Sequence, residues 1–171
     1  MANNITSARL GDVIGVYRGS IKHYGVYINE ESVVHYAYVA DEFSKNRYIH
    51  KTTFDRFLRS QSSYFICVFP KTYGKTSRIN VAAAYEALLP PPRLLKLLKT
   101  FAKSRDWQIY SPQETVQRAL SRVDEHDYSL STSSCEHFVI WCKTGISESN
   151  QVKAILELLP TTTVNLPVAI K

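Results

Sequence analysis

Cys135 sits in the segment Ser134-Cys135-Glu136-His137-Phe138-Val139, and its surroundings predict a nucleophile. Ser133 followed three residues later by Glu136 has the form of a reciprocal helix cap, in which the serine oxygen accepts from a free amide and the glutamate reaches back. Cys135 then falls in the first turn of a helix. Unpaired amides and the positive end of the helix dipole favour a thiolate there and lower the pKa of the thiol. The same amides can hold an oxyanion.

A thiol nucleophile needs a base, and His23 and His35 stand far upstream on neighbouring strand-like runs. Gly11-Asp12-Val13-Ile14 opens the first run. Lys22-His23-Tyr24-Gly25-Val26-Tyr27-Ile28 alternates, and Val33-Val34-His35-Tyr36 follows after Asn29-Glu30-Glu31-Ser32, a turn-like connection. An antiparallel hairpin is predicted, with the histidines facing each other across it. One ring takes the proton from Cys135 and the other orients it, a triad with imidazole in the third place.

The remaining thiols and imidazoles read as structural. Cys67 lies in the apolar run Tyr64-Phe65-Ile66-Cys67-Val68-Phe69, a buried-strand pattern. Cys142 is two helical turns from Cys135, roughly 10 Å by helix rise, too far for a disulfide. His137 points about 200° around the helix from Cys135 and is expected to bond a backbone group. His50 and His126 lie among polar neighbours and read as surface. One cysteine and two histidines can hold zinc with an open fourth position, but no CxxC or HExxH spacing supports a metal, and no cofactor is predicted.

With 171 residues, 44% hydrophobic and 12% aromatic, the chain is predicted to form one domain with a real core. Three cysteines argue against a disulfide framework and suit a reducing compartment. The first residues lack the pattern of a secretion signal, and no run of eighteen apolar residues exists, so the expectation is a cytoplasmic protein. A net charge of +6 predicts attraction to anions, phospholipid headgroups or nucleic acid. Nucleic-acid signatures are absent, which disfavours that partner.

The chain is strand-rich to about residue 70 and helical afterwards. Val81 to Leu89 is a helix former interrupted by Pro90-Pro91-Pro92, and Leu94 to Phe101 resumes the helical period. Ser111-Pro112-Gln113-Glu114 is a second capping box, introducing a helix to about Val123. In segment 93–105, Arg93, Lys96, Lys99 and Lys103 interleave with leucines. That pattern fits either a core-packed helix with solvated lysines or peripheral contact with an anionic membrane.

Gly11-Asp12-Val13-Ile14, Tyr17-Arg18, His23-Tyr24-Gly25-Val26-Tyr27, Val34-His35-Tyr36, Cys135-Glu136-His137-Phe138-Val139, and Gly145 with Gln151-Val152 together resemble the lecithin:retinol acyltransferase-like proteins. These include the mammalian small phospholipase/acyltransferases. The resemblance spans most of the chain and implies an α+β domain over 1–171, with a core of about 9–152 and a C-terminal tail of about 160–171. Its small antiparallel sheet would pack against helices, in a circularly permuted relative of the NlpC-type papain-like hydrolases. By the same resemblance Cys135 is the nucleophile, His23 the general base and His35 the third member. A glycerophospholipid acyl ester is the implied substrate. Two positions depart from the family pattern, Ser134 where Asn is usual and Tyr24 where Trp is usual. Permuted relatives acting on amide bonds suggest a cysteine amidase or peptidase as the enzymatic alternative, and picornavirus proteins with the same boxes suggest a non-catalytic interaction protein.

Overall fold

The computed structural model describes residues 7–38, 47–75, 78–126 and 134–167. Among them six strands form one antiparallel sheet: β1 (Val13–Arg18), β2 (Ile21–Asn29), β3 (Ser32–Tyr38), β4 (Arg47–Thr52), β5 (Ser63–Cys67) and β6 (Thr161–Asn165), in the order β4-β3-β2-β1-β5-β6. The helices are α1 (Phe54–Leu58), α2 (Arg78–Tyr85), α3 (Pro91–Lys103), α4 (Pro112–Leu120), α5 (Cys135–Thr144) and α6 (Ser149–Leu158). The chain is therefore a single α+β domain built on an open sheet.

Period-two alternation splits the apolar strand residues between two cores. Val13, Tyr24, Val26, Val34 and Ile49 face the core shared with the long helices, where Leu97, Phe101, Phe138 and Ile155 are fully buried. Ile14, Val16 and Val33 face the other way and pack with Phe57 and Leu58 of α1. The parity places His23, His35 and His50 on the α1 face, whereas α5 packs on the opposite face, against β2 and β3. The sheet thus lies between the histidines and the body of the helix that begins with Cys135.

Local sequence explains the ends of the elements. Ser111 and Glu114 make the full reciprocal cap of α4, which ends at Leu120 rather than near Val123. Pro90 is the N-cap of α3, and Pro91 and Pro92 occupy its first turn, so the proline triplet starts a helix more than it breaks one. The N-cap of α5 is Ser134, whose side chain accepts from the His137 amide. Ser133, the expected cap, lies outside the described residues. Cys135 is consequently the first helical residue. The segment 161–165, expected to be part of a tail, is the edge strand β6, with Val164 buried against the α1-side core. Its run of three threonines and a valine favours an extended chain.

Gly25 lies where β2 passes under α1, and a Cβ there would meet Val33 Cγ1 at 2.8 Å and Phe57 Cε2 at 2.9 Å. Gly25→Ala is expected to destabilise the fold by roughly 1 to 3 kcal/mol, through overpacking that displaces Phe57. Urea unfolding of the variant measures this; an unchanged midpoint would show that the α1 contact yields freely.

Candidate active site

The β2–β3 ladder runs from Val26 opposite Val34 to Asn29 opposite Ser32. Beyond Val26 no further pair is made between these strands among the described residues, and a cavity of about 410 Å³ lies there. It is bordered by His23 of β2, Tyr36 and Tyr38 of β3, and Ser134, Cys135 and Glu136 at the start of α5. Thiol and imidazole reach one cleft from opposite faces of the sheet through this parting. The backbone amide of Tyr24, unpaired towards β3, hydrogen-bonds the Cys135 sulfur instead.

His23 Nε2 and His35 Nδ1 are 2.8 Å apart, with the rings edge to face and centroids 5.1 Å apart. On the register that pairs Val26 with Val34 they are diagonal neighbours, two residues out of direct opposition. Phe57 packs against both rings, at centroid distances of 5.5 and 5.6 Å, and helps keep the pair from water. His35 is directly opposite His50 of β4, and their Nε2 atoms are 3.0 Å apart. His50 is thus half-buried and hydrogen-bonded to the pair, not the surface residue expected from its neighbours in sequence. The signal was weak: the alternation in Tyr48-Ile49-His50-Lys51 gives the strand, but the chain alone does not give its register against β3.

His137 is buried. Its Nδ1 lies 2.9 Å from Ser134 Oγ and its Nε2 3.0 Å from Ser149 Oγ, so it ties the start of α5 to α6 through hydroxyls, where a backbone partner was expected. Ser134, which replaces the usual Asn, therefore serves both as cap and as partner of His137. Tyr24, in place of Trp, is buried edge-on against Phe65. His126 is exposed and stacked on Tyr48. Cys67 and Cys142 are buried; burial pushes the Cys67 thiol up to about 12 and Cys142 higher still. In α3, Leu97 and Phe101 are buried and Leu94 and Leu98 pack on the core, leaving Leu95 and the lysines outside. Among the described residues, no group of three His, Cys, Asp or Glu has a metal-holding arrangement.

Electrostatically the site differs from the thiolate expected at a helix start. Burial raises Cys135 above the ordinary thiol value; the Tyr24 and Glu136 amides and the Arg18 guanidinium oppose this, and the Glu136 carboxylate adds to it. Burial, followed by the charges of Arg18 and Arg59, lowers His23 to about 3, and burial holds His35 well below the usual histidine value. His50 is lowered by burial, with its hydrogen bond to the Tyr48 carbonyl acting in the opposite sense. Burial therefore favours the thiol form of Cys135 and the neutral form of the His23 and His35 rings.

Among the described residues the lining of the cleft is mainly positive: Arg18, Lys22, Arg47 and Arg59 border it with the carboxylate of Glu136, and Ile21, 70% exposed, stands at its rim. Arg18 is fixed by donating to the Phe57 carbonyl at 3.1 Å.

A family model described as lecithin retinol acyltransferase matches residues 6–148. The chain belongs to the lecithin retinol acyltransferase family. The match takes in Cys135, His23 and His35, and also His50, Arg18, Lys22, Arg47 and Arg59. Membership supports acyltransferase-type chemistry. A search of curated proteins gave no match. No helix among the described residues is long and apolar enough to cross a membrane.

The neutral thiol–imidazole pair has two measurable consequences. Iodoacetamide should modify Cys135 with a midpoint at or above the ordinary thiol pKa of about 8.5; rapid modification at pH 6 would show an ion pair at rest. For stability, the folded pKa of His23 lies below its unfolded value of about 6.5, so between about 6.5 and about 3 only the unfolded chain takes up that proton. Stability should then fall as pH drops from about 6.5 to 5, by up to about 1.4 kcal/mol per pH unit for each buried neutral histidine. Urea titrations at successive pH values test this, and a flat dependence would contradict it.

Proposed function

We propose that this protein is a thiol-dependent acyltransferase or hydrolase that forms a Cys135 thioester from the acyl ester of a glycerophospholipid. The observation that carries the reading is the shared cleft: Cys135 and the His23 ring, itself bonded to His35, border one cavity that is also lined by Arg18, Lys22, Arg47 and Arg59. A thiol, a neutral base and a positive, partly apolar mouth suit an anionic amphiphile with a scissile carbonyl.

His23 accepts the Cys135 proton as the sulfur attacks the ester carbonyl carbon, and the carbonyl π electrons move to oxygen. The Tyr24 and Glu136 amides, which already bond the sulfur, are available to stabilise that oxyanion. Collapse breaks the carbon–oxygen bond of the ester, and the departing alkoxide takes the proton from His23. Water, an amine or an alcohol, deprotonated by His23, then attacks the thioester and releases Cys135. His35 holds the His23 ring. Peripheral contact with an anionic membrane along 93–105 would use Lys96, Lys99, Lys103 and Leu95, because the other apolar side chains of that helix face the core.

The arginine-bordered wall also favours a second reading, the same two-step chemistry on the amide bond of an acidic peptide. Intact-mass measurement of wild type and Cys135→Ala after exposure to phosphatidylcholine/phosphatidylglycerol vesicles tests the first. Wild type should gain the mass of one acyl chain, removable by hydroxylamine, and Cys135→Ala should gain none. His23→Ala should slow acylation on the order of 10² to 10⁴-fold, and His35→Ala less. Turnover by Cys135→Ala would remove the nucleophile assignment. A thiol acylated only by amide substrates would favour the second reading, and one inert to both would favour a non-catalytic interaction role. Changing Lys96, Lys99 and Lys103 together to Gln should weaken vesicle binding by roughly 1 kcal/mol per charge while leaving turnover of a soluble short-chain ester intact. Equal binding would reduce that segment to a solvated helix face.

A further inference from the structure

An imidazole as the third member of a triad has a difficulty that a carboxylate or amide oxygen does not. An oxygen can only accept from the base, which fixes the base's tautomer. A neutral imidazole offers one donor and one acceptor, so the hydrogen bond between His23 Nε2 and His35 Nδ1 can run in either direction. In one direction the His23 lone pair is on Nδ1, free of the pair; in the other it is on Nε2, occupied by His35, and the ring cannot act as a base towards the cleft. Among the described residues the groups whose charge acts on both rings are Arg18, Arg59 and His50, and neither guanidinium accepts a hydrogen bond.

His50 supplies the missing direction. Its Nδ1 is 3.2 Å from the Tyr48 carbonyl oxygen, an acceptor only, so Nδ1 carries the proton. In the neutral ring Nε2 is then bare and must accept from His35 Nε2, 3.0 Å away. His35 Nδ1 is bare in turn and accepts from His23 Nε2 at 2.8 Å, which leaves the His23 lone pair on Nδ1. The reverse chain would set a bare His50 nitrogen against the carbonyl lone pairs. The geometry of β4 supports the anchor: the Ile49 amide donates to Glu125 O at 3.2 Å, the Asp124 amide donates to Ile49 O at 2.8 Å, and the Tyr48 ring packs between His50 and His126.

We propose that His50 is a positioning residue which, through the Tyr48 carbonyl and His35, sets the tautomer of His23 so that Nδ1 is the basic nitrogen. The inference rests on the reading of His23 as the base, but its test needs no substrate. Two-bond ¹H–¹⁵N correlation spectra of the ring nitrogens at neutral pH should show wild-type His23 protonated on Nε2 and bare on Nδ1, and His50 bare on Nε2. In His50→Ala the His23–His35 pair should lose its single direction, and a His23 species protonated on Nδ1 should appear. His50→Gln, whose amide oxygen can accept from His35, should restore the wild-type tautomer. Acylation of Cys135 should follow the same order, with kcat falling at least about tenfold in His50→Ala at unchanged KM and recovering in His50→Gln. A wild-type His23 bare on Nε2 would overturn the proposal without any variant. So would a His50→Ala protein that keeps the wild-type tautomer. If the tautomers behave as described while Cys135→Ala still turns over, the nucleophile assignment fails and the orienting chain stands.

Discussion

The 2.8 Å approach of His23 to His35 requires at least one uncharged ring, and burial favours the neutral form of both; two imidazolium rings at that distance in a buried site would repel and would present donor to donor. The surrounding structure serves that neutrality. Gly25 lets Phe57 come down over the rings, and the guanidiniums of Arg18 and Arg59 add to the cost of protonating either one. The same burial acts on Cys135 and favours a resting site without an ion pair, so that charge separation would develop with the reaction. The proposed chemistry is general-base catalysis within the catalytic step, distinct from attack by a preformed thiolate.

The parting of β2 from β3 is the second requirement. With the ladder continued past Val26, the Tyr24 amide would be committed to β3 and the sheet would be closed between the histidines and α5. Opening it costs backbone pairing at the edge of a cavity, and the sulfur recovers one of the orphaned donors. The cap of α5 belongs to the same arrangement. Ser134 holds the His137 amide and ring, and His137 reaches Ser149, so the first turn that carries Cys135 is tied to α6 as well as to the sheet.

The features legible in the sequence were the local ones. Cys135 at a helix start, the hairpin around Asn29 to Ser32, and the Ser111 cap each rest on a few consecutive residues, and each is present within a residue of its expected place. Features that depend on tertiary placement were not legible. The register that sets His50 against His35 is fixed by how β4 docks. Alternation shows that the sheet has two faces, but not that α5 would cover the one opposite the histidines. The upward pull of burial on the thiol was not legible either, because the helix dipole can be read from a motif and desolvation cannot. β6 is a different case: a Thr-Thr-Thr-Val run carries its own extended preference, which its position near the end of the chain obscured.

An orienting chain made of imidazoles and one backbone carbonyl has a consequence for the field inside the cleft. A carboxylate in third place would put a full negative charge beside the histidine and cancel part of the potential of Arg18, Lys22, Arg47 and Arg59. Dipoles hold the ring here, and they fall off with distance much faster than a charge does. The site could therefore keep the proposed base in a fixed orientation while remaining attractive to an incoming anion over several ångströms. Orientation and long-range capture are thus assigned to different kinds of group, and a substitution that introduced a carboxylate at either histidine would couple the two.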